Sequence, residues 1–303
     1  TPLFENIFSE RTFNCRKGKG QLYGVNMLKE DIRQCSNNYT EDCHIMKLDL
    51  KGFFMSIDKK LLAEMVDRFI VEYYKGEDID DLRYLCRVVI LHSPEKNCER
   101  HSPLSYWEKL DKNKSLFTNG EGKGVAIGNL FAQIFANFLL NTLDWFIENE
   151  GIEHHGRYVD KEKLLALMPK IRELLAKLGL RLNEKKFYLQ HYSKGVEFTG
   201  SIVKPGRVYT CNRTITNFIA AVRRLNKANN ERQVLHAVCS INSYLGLLRH
   251  TNEYAMRRKV LNMIEPHVFK EYVYIKGHYE VLAIKNKHKL RYQTMQRIRN
   301  GDY

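Results

Sequence analysis

Apolar and polar positions in the first half of the chain predict one buried strand and three helices. Residues 44–50 alternate into an apolar run, which is typical of a buried strand. Asp58 follows and is a suitable N-cap for a helix over 59–74, whose apolar residues recur on one face. The same helical spacing predicts a shorter helix over 82–91 and a long one over 129–149.

The second half of the chain alternates between strands and helices before it becomes mainly helical. Residues 156–160 predict a strand, 161–178 a helix, and 181–189 and 195–203 two further strands. Three helices are then predicted over 216–228, 231–248 and 253–264. This order of elements indicates an α+β core followed by a helical domain.

Size and charge favour a globular protein with a polyanionic partner. The chain has 303 residues, enough for two or three subdomains with a buried core. It contains 49 Lys and Arg against 35 Asp and Glu, a formal net charge of +14. Because each cation placed on a phosphate releases counterions, this excess favours nucleic acid as the partner. A soluble protein that is merely basic is the alternative.

The seven cysteines and the apolar segments bear on the location of the protein. The cysteines are scattered and include no Cys-x-x-Cys pair, so a disulfide framework is disfavoured and a cytoplasmic location is expected. Cys98 and His101, with His92 nearby, are too few for the four ligands of structural zinc. Residues 125–140 are apolar but interrupted by Asn and Gln, so no membrane partner is predicted.

Two aspartates at the ends of predicted strands are the candidates for chemistry. Asp49 ends one buried strand and Asp160 ends another. A buried carboxylate is costly unless it is paired or binds metal. Two carboxylates on adjacent strands would repel each other, and a divalent cation that also binds substrate phosphates would relieve that repulsion. Two unrelated aspartates acting in caps or turns are the alternative.

Five segments occur in an order and at spacings that resemble a reverse transcriptase of the bacterial group II intron-like lineage. They are Leu-Asp-Leu-Lys-Gly-Phe-Phe at 48–54, Gly-Val-Ala-Ile-Gly-Asn-Leu-Phe-Ala-Gln at 124–133, Arg-Tyr-Val-Asp at 157–160, Gly-Leu-Arg-Leu-Asn-Glu-Lys-Lys at 179–186 and Gly-Val-Glu-Phe-Thr-Gly at 195–200. The resemblance covers roughly residues 3–260. It implies an RNA-directed DNA polymerase, a nucleotidyltransferase, with the right-hand fold of fingers, palm and thumb.

The resemblance also implies a domain division and a metal site. Residues 1–205 would form the fingers and palm, with incomplete N-terminal fingers, and 206–303 a helical thumb with a basic C-terminal extension. Asp49 and Asp160 would bind two Mg²⁺ ions, with the Leu50 carbonyl as a further ligand. Lys186 resembles the lysine that protonates the departing pyrophosphate.

Nucleotide and primer contacts are implied at further positions. Residues expected to contact the incoming nucleotide or the templating base pair are Arg16, Lys17, Lys19, Leu50, Phe54, Ile127, Gly128 and Gln133. Phe54 would exclude a ribose 2′-hydroxyl, and Phe198, Thr199 and Gly200 would form the primer grip. Three of these assignments have a plainer alternative: Phe54 as a core residue beside Phe53, the cations at 16–19 as solvated surface charge, and Lys186 as a surface lysine at a turn.

The segment at 127–133 indicates the subfamily. Ile127-Gly128 followed by Gln133 is similar to diversity-generating retroelement enzymes, although Ala132 replaces their serine. That likeness implies a structured template RNA, an RNA/DNA hybrid, dNTPs and a small basic accessory protein as partners. A phage-defence reverse transcriptase of the same lineage and a catalytically inactive nucleic-acid-binding derivative are the alternatives.

The motif that ends at Asp160 is incomplete. In the family, Tyr-x-Asp-Asp forms a hairpin tip and a second strand returns, whereas here Lys161 already begins the predicted helix. The second aspartate is missing, together with a strand of typically ~4–6 residues. We hypothesise that the natural protein carries this segment. An intact mass of 35.7 kDa for the natural protein would contradict the hypothesis.

Overall fold

A computed structural model describes residues 2–111, 114–128, 130–150, 158–159 (backbone only), 161–251 and 253–288. The chain divides into two units, Thr1–Tyr192 and Ser193–Tyr303. Both contain helices and antiparallel sheet, in agreement with the predicted α+β class. The division falls at 192/193, whereas the sequence predicted a boundary at 205/206.

The first unit is mainly helical around one small sheet. Its elements are α1 (Pro2–Glu5), α2 (Gln21–Cys35), β1 (His44–Lys47), α3 (Phe53–Ser56), α4 (Lys59–Tyr73), α5 (Ile79–Leu91), α6 (Leu104–Glu108), α7 (Leu130–Asn149), β2 (Tyr158–Val159), α8 (Lys161–Lys177) and β3 (Tyr188–His191). A 3₁₀ turn, Glu184–Lys186, lies between α8 and β3. Strand β1 is central and pairs antiparallel with β2 on one side and β3 on the other.

Helix α4 begins where the sequence predicts. The Asp58 carboxylate accepts hydrogen bonds from the backbone N–H groups of Lys60 and Leu61, both at 3.0 Å, which confirms the predicted N-cap. The helix buries one face, including Leu62, Val66 and Ile70, in the core of the unit. Helices α7 and α8 supply much of the rest of that core.

Two polar residues inside apolar helix α7 fix the N-terminal segment. Buried Asn141 donates to the Ile7 carbonyl (3.0 Å) and accepts from the Ser9 N–H (3.1 Å). Asn137 donates to the Asn14 carbonyl at 2.9 Å. By length and composition α7 could cross a bilayer, but 56% of its most apolar stretch is buried inside the protein.

The second unit combines a three-stranded sheet, a helical core and a terminal hairpin. Its elements are β4 (Val196–Phe198), β5 (Ser201–Lys204), β6 (Arg207–Thr210), α9 (Asn212–Asn226), α10 (Glu231–Leu248), α11 (Tyr254–Leu261), α12 (Pro266–Glu271), β7 (Val273–Lys276) and β8 (Val281–Ile284). The sheet has the order β4-β5-β6, and β7 pairs with β8. Helix α10 has the predicted bounds, and its apolar face packs in the core with α9.

Three local features differ from the sequence prediction. The strand predicted over 181–189 is wrong, since Glu184–Lys186 form a 3₁₀ turn and strand β3 spans only Tyr188–His191. Residues 195–203 form a hairpin rather than one strand, with Thr199 and Gly200 at its tip (φ 46° and 86°). Two consecutive residues with positive φ are typical of the tight turn that best matches strand twist. Helix α2 was not predicted. It buries Gly24 beneath the ring of Phe13, a tertiary contact that no local periodicity reveals.

Candidate functional site

Asp49 lies two residues beyond the end of central strand β1, on a backbone segment tied to residues 181–183. The Asp49 carbonyl accepts the N–H of Asn183 at 2.7 Å, and the Lys51 N–H donates to the Arg181 carbonyl at 2.9 Å. Leu50 forms an antiparallel bridge with Leu182 between these two bonds. These contacts hold the side chains of two segments, distant in sequence, at one place.

The Asp49 carboxylate contacts two side chains of the second segment. Its Oδ2 atom lies 3.1 Å from the Lys186 Nζ and accepts a hydrogen bond from the Asn183 Nδ2 at 3.1 Å. The side chains of Asp49 and Lys186 are 38% and 65% exposed, so the ion pair opens to solvent. The structure therefore brings together two of the three predicted catalytic residues, Asp49 and Lys186.

The 3₁₀ turn explains why Lys186 faces Asp49. The Lys186 N–H donates to the Asn183 carbonyl at 2.8 Å and closes the turn. Glu184 is directed to Arg172 of α8, with a shortest separation of 3.2 Å, so its carboxylate does not compete for the lysine. Asn183 was quoted in the sequence motif without a role. Its position three residues before Lys186 was the only signal that could have found it.

The second predicted metal ligand, Asp160, lies outside the described residues. In strand β2, Val159 pairs with His44, which is five residues before Asp49. Because β2 is antiparallel to β1, it runs at Val159 towards the start of β1 and away from Asp49.

The described residues supply one carboxylate, Asp49, to the predicted magnesium site. Across the described parts of the chain, no group of three or more His, Cys, Asp or Glu is placed to hold a metal ion. Two magnesium ions that bridge substrate phosphates are normally held by more than one carboxylate. The described residues alone therefore do not fit a two-ion site.

The aromatic residue predicted to exclude ribose lies at the edge of the core. Phe54 is partly buried, and its ring centroid lies 5.2 Å from that of Phe53. Its carbonyl accepts the N–H of Val125 at 2.9 Å. Leu50 also packs partly buried against the same core. These positions agree with the plainer interpretation of Phe54 as a packing residue, and they leave the gate role a prediction.

Two of the three predicted fingers cations are bound to protein groups. The Arg16 guanidinium donates to Glu5 at 2.7 Å and to the carbonyls of Ser9 and Thr12, and its side chain is only 7% exposed. Arg16 therefore holds the N-terminal turns together, and in this conformation its donors are not directed at a ligand.

Lys19 is also engaged, whereas Lys17 is not. Lys19 Nζ lies 2.7 Å from the Glu10 carboxylate and 5.2 Å from the centroid of the Tyr23 ring. A hydrogen bond from Lys19, with its positive charge, lowers the pKa of Glu10. Lys17 is exposed and forms no ion pair with any described residue. Of the three cations, Lys17 alone is available to an anionic ligand in this conformation.

The predicted template-contacting segment is exposed and apolar. Ile127 is 66% exposed, and Gly128 has a φ of 120° with open space around it. Leu130 and Phe131, at the start of α7, are also more than half exposed, and Gln133 is partly buried. Within the described residues, this segment forms no hydrogen bond or ion pair with Asp49, so the structure does not join it to the ion pair.

Two of the three predicted primer-grip residues, Thr199 and Gly200, form the tip of a hairpin in the second unit, and Phe198 ends strand β4. Thr199 is β-branched, yet its φ of 46° is left-handed, which such residues rarely adopt. Its buried Oγ1 atom has no hydrogen-bond partner among the described residues. The carbonyl of Gly200 accepts the N–H of Cys211 at 3.1 Å. Strain of this kind is often retained at functional sites.

The second unit carries almost all of the net charge. It contains 20 Lys and Arg against 7 Asp and Glu, a net of +13, whereas the first unit contains 29 against 28, a net of +1. Arg224, Lys227, Arg232 and His236 line a groove of about 610 Å³ between α9 and α10. These side chains concentrate positive potential in the groove.

The chain matches no protein-family model, and a sequence search of curated proteins finds no match. The functional interpretation therefore depends on the motifs and on the geometry of the two units.

Proposed function

We propose that this protein is an RNA-directed DNA polymerase that makes cDNA from a structured template RNA, in a diversity-generating retroelement. The observation that carries the proposal is the contact between Asp49 and Lys186. The two residues belong to motifs more than 130 residues apart, and their charged atoms lie 3.1 Å from each other. An isolated surface ion pair would not require that both partners lie in polymerase-like segments.

In this proposal, the side chains around Asp49 form one half of the catalytic centre. The negative charge of Asp49 keeps the ammonium of Lys186 in position, and Asn183 orients the carboxylate. Lys186 is exposed enough to donate a proton to a departing pyrophosphate oxygen, as a general acid must. Asp160 would complete the centre together with the segment that we hypothesise the natural protein carries.

The two units would play different parts in a right-hand polymerase. The first would provide palm and incomplete fingers, and the second the thumb. A net charge of +13 supports binding of an RNA/DNA hybrid through its phosphates, by backbone shape rather than by sequence. The further partners in this proposal are dNTPs and a small basic accessory protein.

Primer extension on an RNA template with Mg²⁺ and dNTPs tests the proposal. Asp49→Ala should lower incorporation on the order of 100-fold or more, because it removes the carboxylate that positions Lys186 and that would bind metal. Asp81→Ala, at an exposed position of α5, is the matched control and should retain activity. Incorporation that survives Asp49→Ala would refute the assigned site.

Lys186 can be tested in the same assay against its neighbour. Lys186→Gln should lower the rate by roughly 100-fold or more and remove the upper limb of the pH–rate profile, as expected for loss of a general acid. Lys185→Gln removes an equally exposed charge one residue away and should change little. Equal effects of the two substitutions would contradict the general-acid role and would show that Lys186 contributes only positive charge.

A specific observation favours one second candidate, a catalytically inactive nucleic-acid-binding protein. The described part of the first unit supplies one carboxylate to the site, and β2 runs away from it at Val159. Such a protein would bind RNA through its basic second unit and incorporate no nucleotide at any Mg²⁺ concentration. RNA binding without incorporation by the natural protein would select this candidate.

A further inference from the structure

A basic cavity in the first unit belongs to none of the motif roles assigned above. It has a volume of about 520 Å³, within the usual range of small-molecule sites. Lys51, Lys123 and Arg181 contribute its positive charges, and Ser56 and Asn119 line it with polar atoms. No carboxylate is among its lining residues, and Asp49 is not part of its wall.

Backbone hydrogen bonds bring three separate segments to this cavity. The Lys51 N–H donates to the Arg181 carbonyl at 2.9 Å, which fixes two of the cations next to each other in the fold. Lys123 is held by an antiparallel bridge to Asp58, and the Lys59 N–H donates to the Gly122 carbonyl at 3.0 Å. The cavity is therefore built by the fold rather than by one flexible loop.

The neutral polar residues of the wall stabilise it by hydrogen bonds to backbone carbonyls. Ser56 donates its hydroxyl proton to the Lys51 carbonyl at 3.1 Å, and the Asn119 amide donates to the Met55 carbonyl. Asp58, the acidic residue bridged to Lys123, is committed to the cap of α4. Of the described residues that line the wall, none supplies a counter-charge to the cavity.

Among the residues that the structure describes, the three cations have no partner. Within the described residues, the side chains of Lys51, Lys123 and Arg181 form no ion pair and no hydrogen bond. Three like charges that line one concave space repel each other, and exposure of the three side chains to solvent weakens that repulsion. A multivalent anion would relieve it and receive charge-assisted hydrogen bonds from all three groups.

The helix end beside the cavity does not oppose an anion. Helix α8 ends near Gly179, where its last carbonyls would present negative partial charge. The carbonyls of Leu174 and Leu175 are satisfied by the N–H groups of Leu178 and Leu180, and Gly179 takes the left-handed conformation typical of a helix C-terminus (φ 70°). The anion would therefore meet ammonium and guanidinium groups rather than unpaired carbonyls.

We propose that this cavity binds a compact polyanion that carries two or three linked phosphoryl groups. Linked phosphates match three cations around one space better than a single phosphate does, because each cation can contact a different phosphoryl group. The site is separate from the Asp49 carboxylate and does not depend on polymerase activity. A free oligophosphate and the triphosphate of a nucleotide share this chemistry.

Isothermal titration of the full chain with inorganic tripolyphosphate, without divalent cations, tests the proposal. Lys123→Gln/Arg181→Gln should weaken binding by roughly tenfold or more, because two charge-assisted contacts are lost. The matched control Lys29→Gln/Lys163→Gln removes two exposed charges elsewhere in the same unit and should change affinity by less than about twofold. Equal losses in the two variants would overturn the proposal.

Three further measurements distinguish loss of the site from misfolding, from binding at Asp49 and from binding of RNA. The charge-retaining Lys123→Arg/Arg181→Lys variant should still bind, so a loss from misfolding can be told from a loss of charge. Asp49→Ala should bind tripolyphosphate as the parent does, and failure there would assign the anion to the Asp49 site instead. Titration with ATP should show the same dependence on Lys123 and Arg181. A dependence seen only with a single-stranded RNA oligonucleotide would overturn the proposal in favour of a nucleic-acid contact.

Discussion

The two units of this protein use charge in opposite ways. The first is almost neutral, at +1, and many of its charged side chains are engaged with each other, whereas the second carries +13. Ion pairs that join different segments of the first unit include Arg11–Asp31, Arg16–Glu5, Lys19–Glu10, Arg83–Asp67 and Lys186–Asp49. The groove cations Arg224, Lys227 and Arg232 form no ion pair with any described residue.

This difference indicates which unit is suited to chemistry and which to binding. Paired charges hold a few side chains in defined geometry, which a reacting centre requires. Unpaired cations attract a polyanion at long range but fix no single geometry. Within the first unit, the cavity cations Lys51, Lys123 and Arg181 are unpaired among the described residues, and backbone bonds hold the segments that carry them.

The largest effect in this comparison is expected for RNA affinity, when three positive charges are removed from the second unit rather than from the first. Arg224→Gln/Lys227→Gln/Arg232→Gln in the second unit should weaken RNA binding roughly tenfold or more and lower the slope of log affinity against log salt by about 2. Lys29→Gln/Lys60→Gln/Lys163→Gln removes the same charge from the first unit and should have little effect. Fluorescence anisotropy over a salt series measures both. If both triple variants lowered the slope of log affinity against log salt equally, the difference in RNA binding between the two units would be refuted.

A smaller effect is expected at the hairpin tip of the second unit. Thr199→Gly should raise the free energy of unfolding by about 0.5–1 kcal/mol, because the relief of left-handed strain outweighs the greater chain entropy of glycine. Thr199→Ala keeps a Cβ atom at positive φ and should not give this gain. Chemical denaturation measures both. A destabilised glycine variant would show that Thr199 makes a compensating contact.

The smallest effect is expected for an ion pair between α4 and α5. A hydrogen bond from Arg83 lowers the pKa of Asp67 below its usual 3.8. The pair therefore stabilises the fold above about pH 3.8, and this contribution is lost as the pH falls through the lower folded pKa. Asp67→Asn should be slightly destabilising at pH 7, as is typical of exposed ion pairs, and should match the parent at strongly acidic pH.

Helix α5, which carries Arg83, also provides a control residue for the ion pair between α4 and α5. Asp81→Asn neutralises an exposed aspartate of α5 that has no ion pair among the described residues. Denaturation curves of parent, Asp67→Asn and Asp81→Asn at both pH values separate the pair from general charge effects. A destabilisation of Asp67→Asn that persists at the acidic pH would contradict the assigned ion pair.

Elements with a strong local signal were predictable from the sequence. The Asp58 cap, the long helix α7 and the bounds of α10 are confirmed, since each depends on neighbours a few residues away. The strand of 195–203 was wrong because periodicity cannot show that Thr199 and Gly200 turn the chain. Helix α2 was missed because its packing depends on a glycine that faces an aromatic ring.

The candidate site was only partly predictable, for a different reason. The motif positions of Asp49 and Lys186 implied that they share a site, and the structure places them in contact. The contact between Asn183 and Asp49 could be recognised only in the structure. The position of Asn183 three residues before Lys186 does not by itself indicate this contact. The charge run at Arg16 and Lys19 looked like a ligand-binding loop. Its partners Glu5 and Glu10 are set by the tertiary path of the chain.

The asparagines of helix α7 have a consequence for the order in which the first unit is built. The partners of Ile7, Ser9 and Asn14 lie between 123 and 134 residues further along the chain. At usual rates of synthesis, the N-terminal segment emerges on the order of ten seconds before those partners exist. Contacts of such long sequence separation form late and slow the folding of a domain. Residues 7–14 are therefore synthesised before their partners and are among the last parts of the first unit to reach their native place.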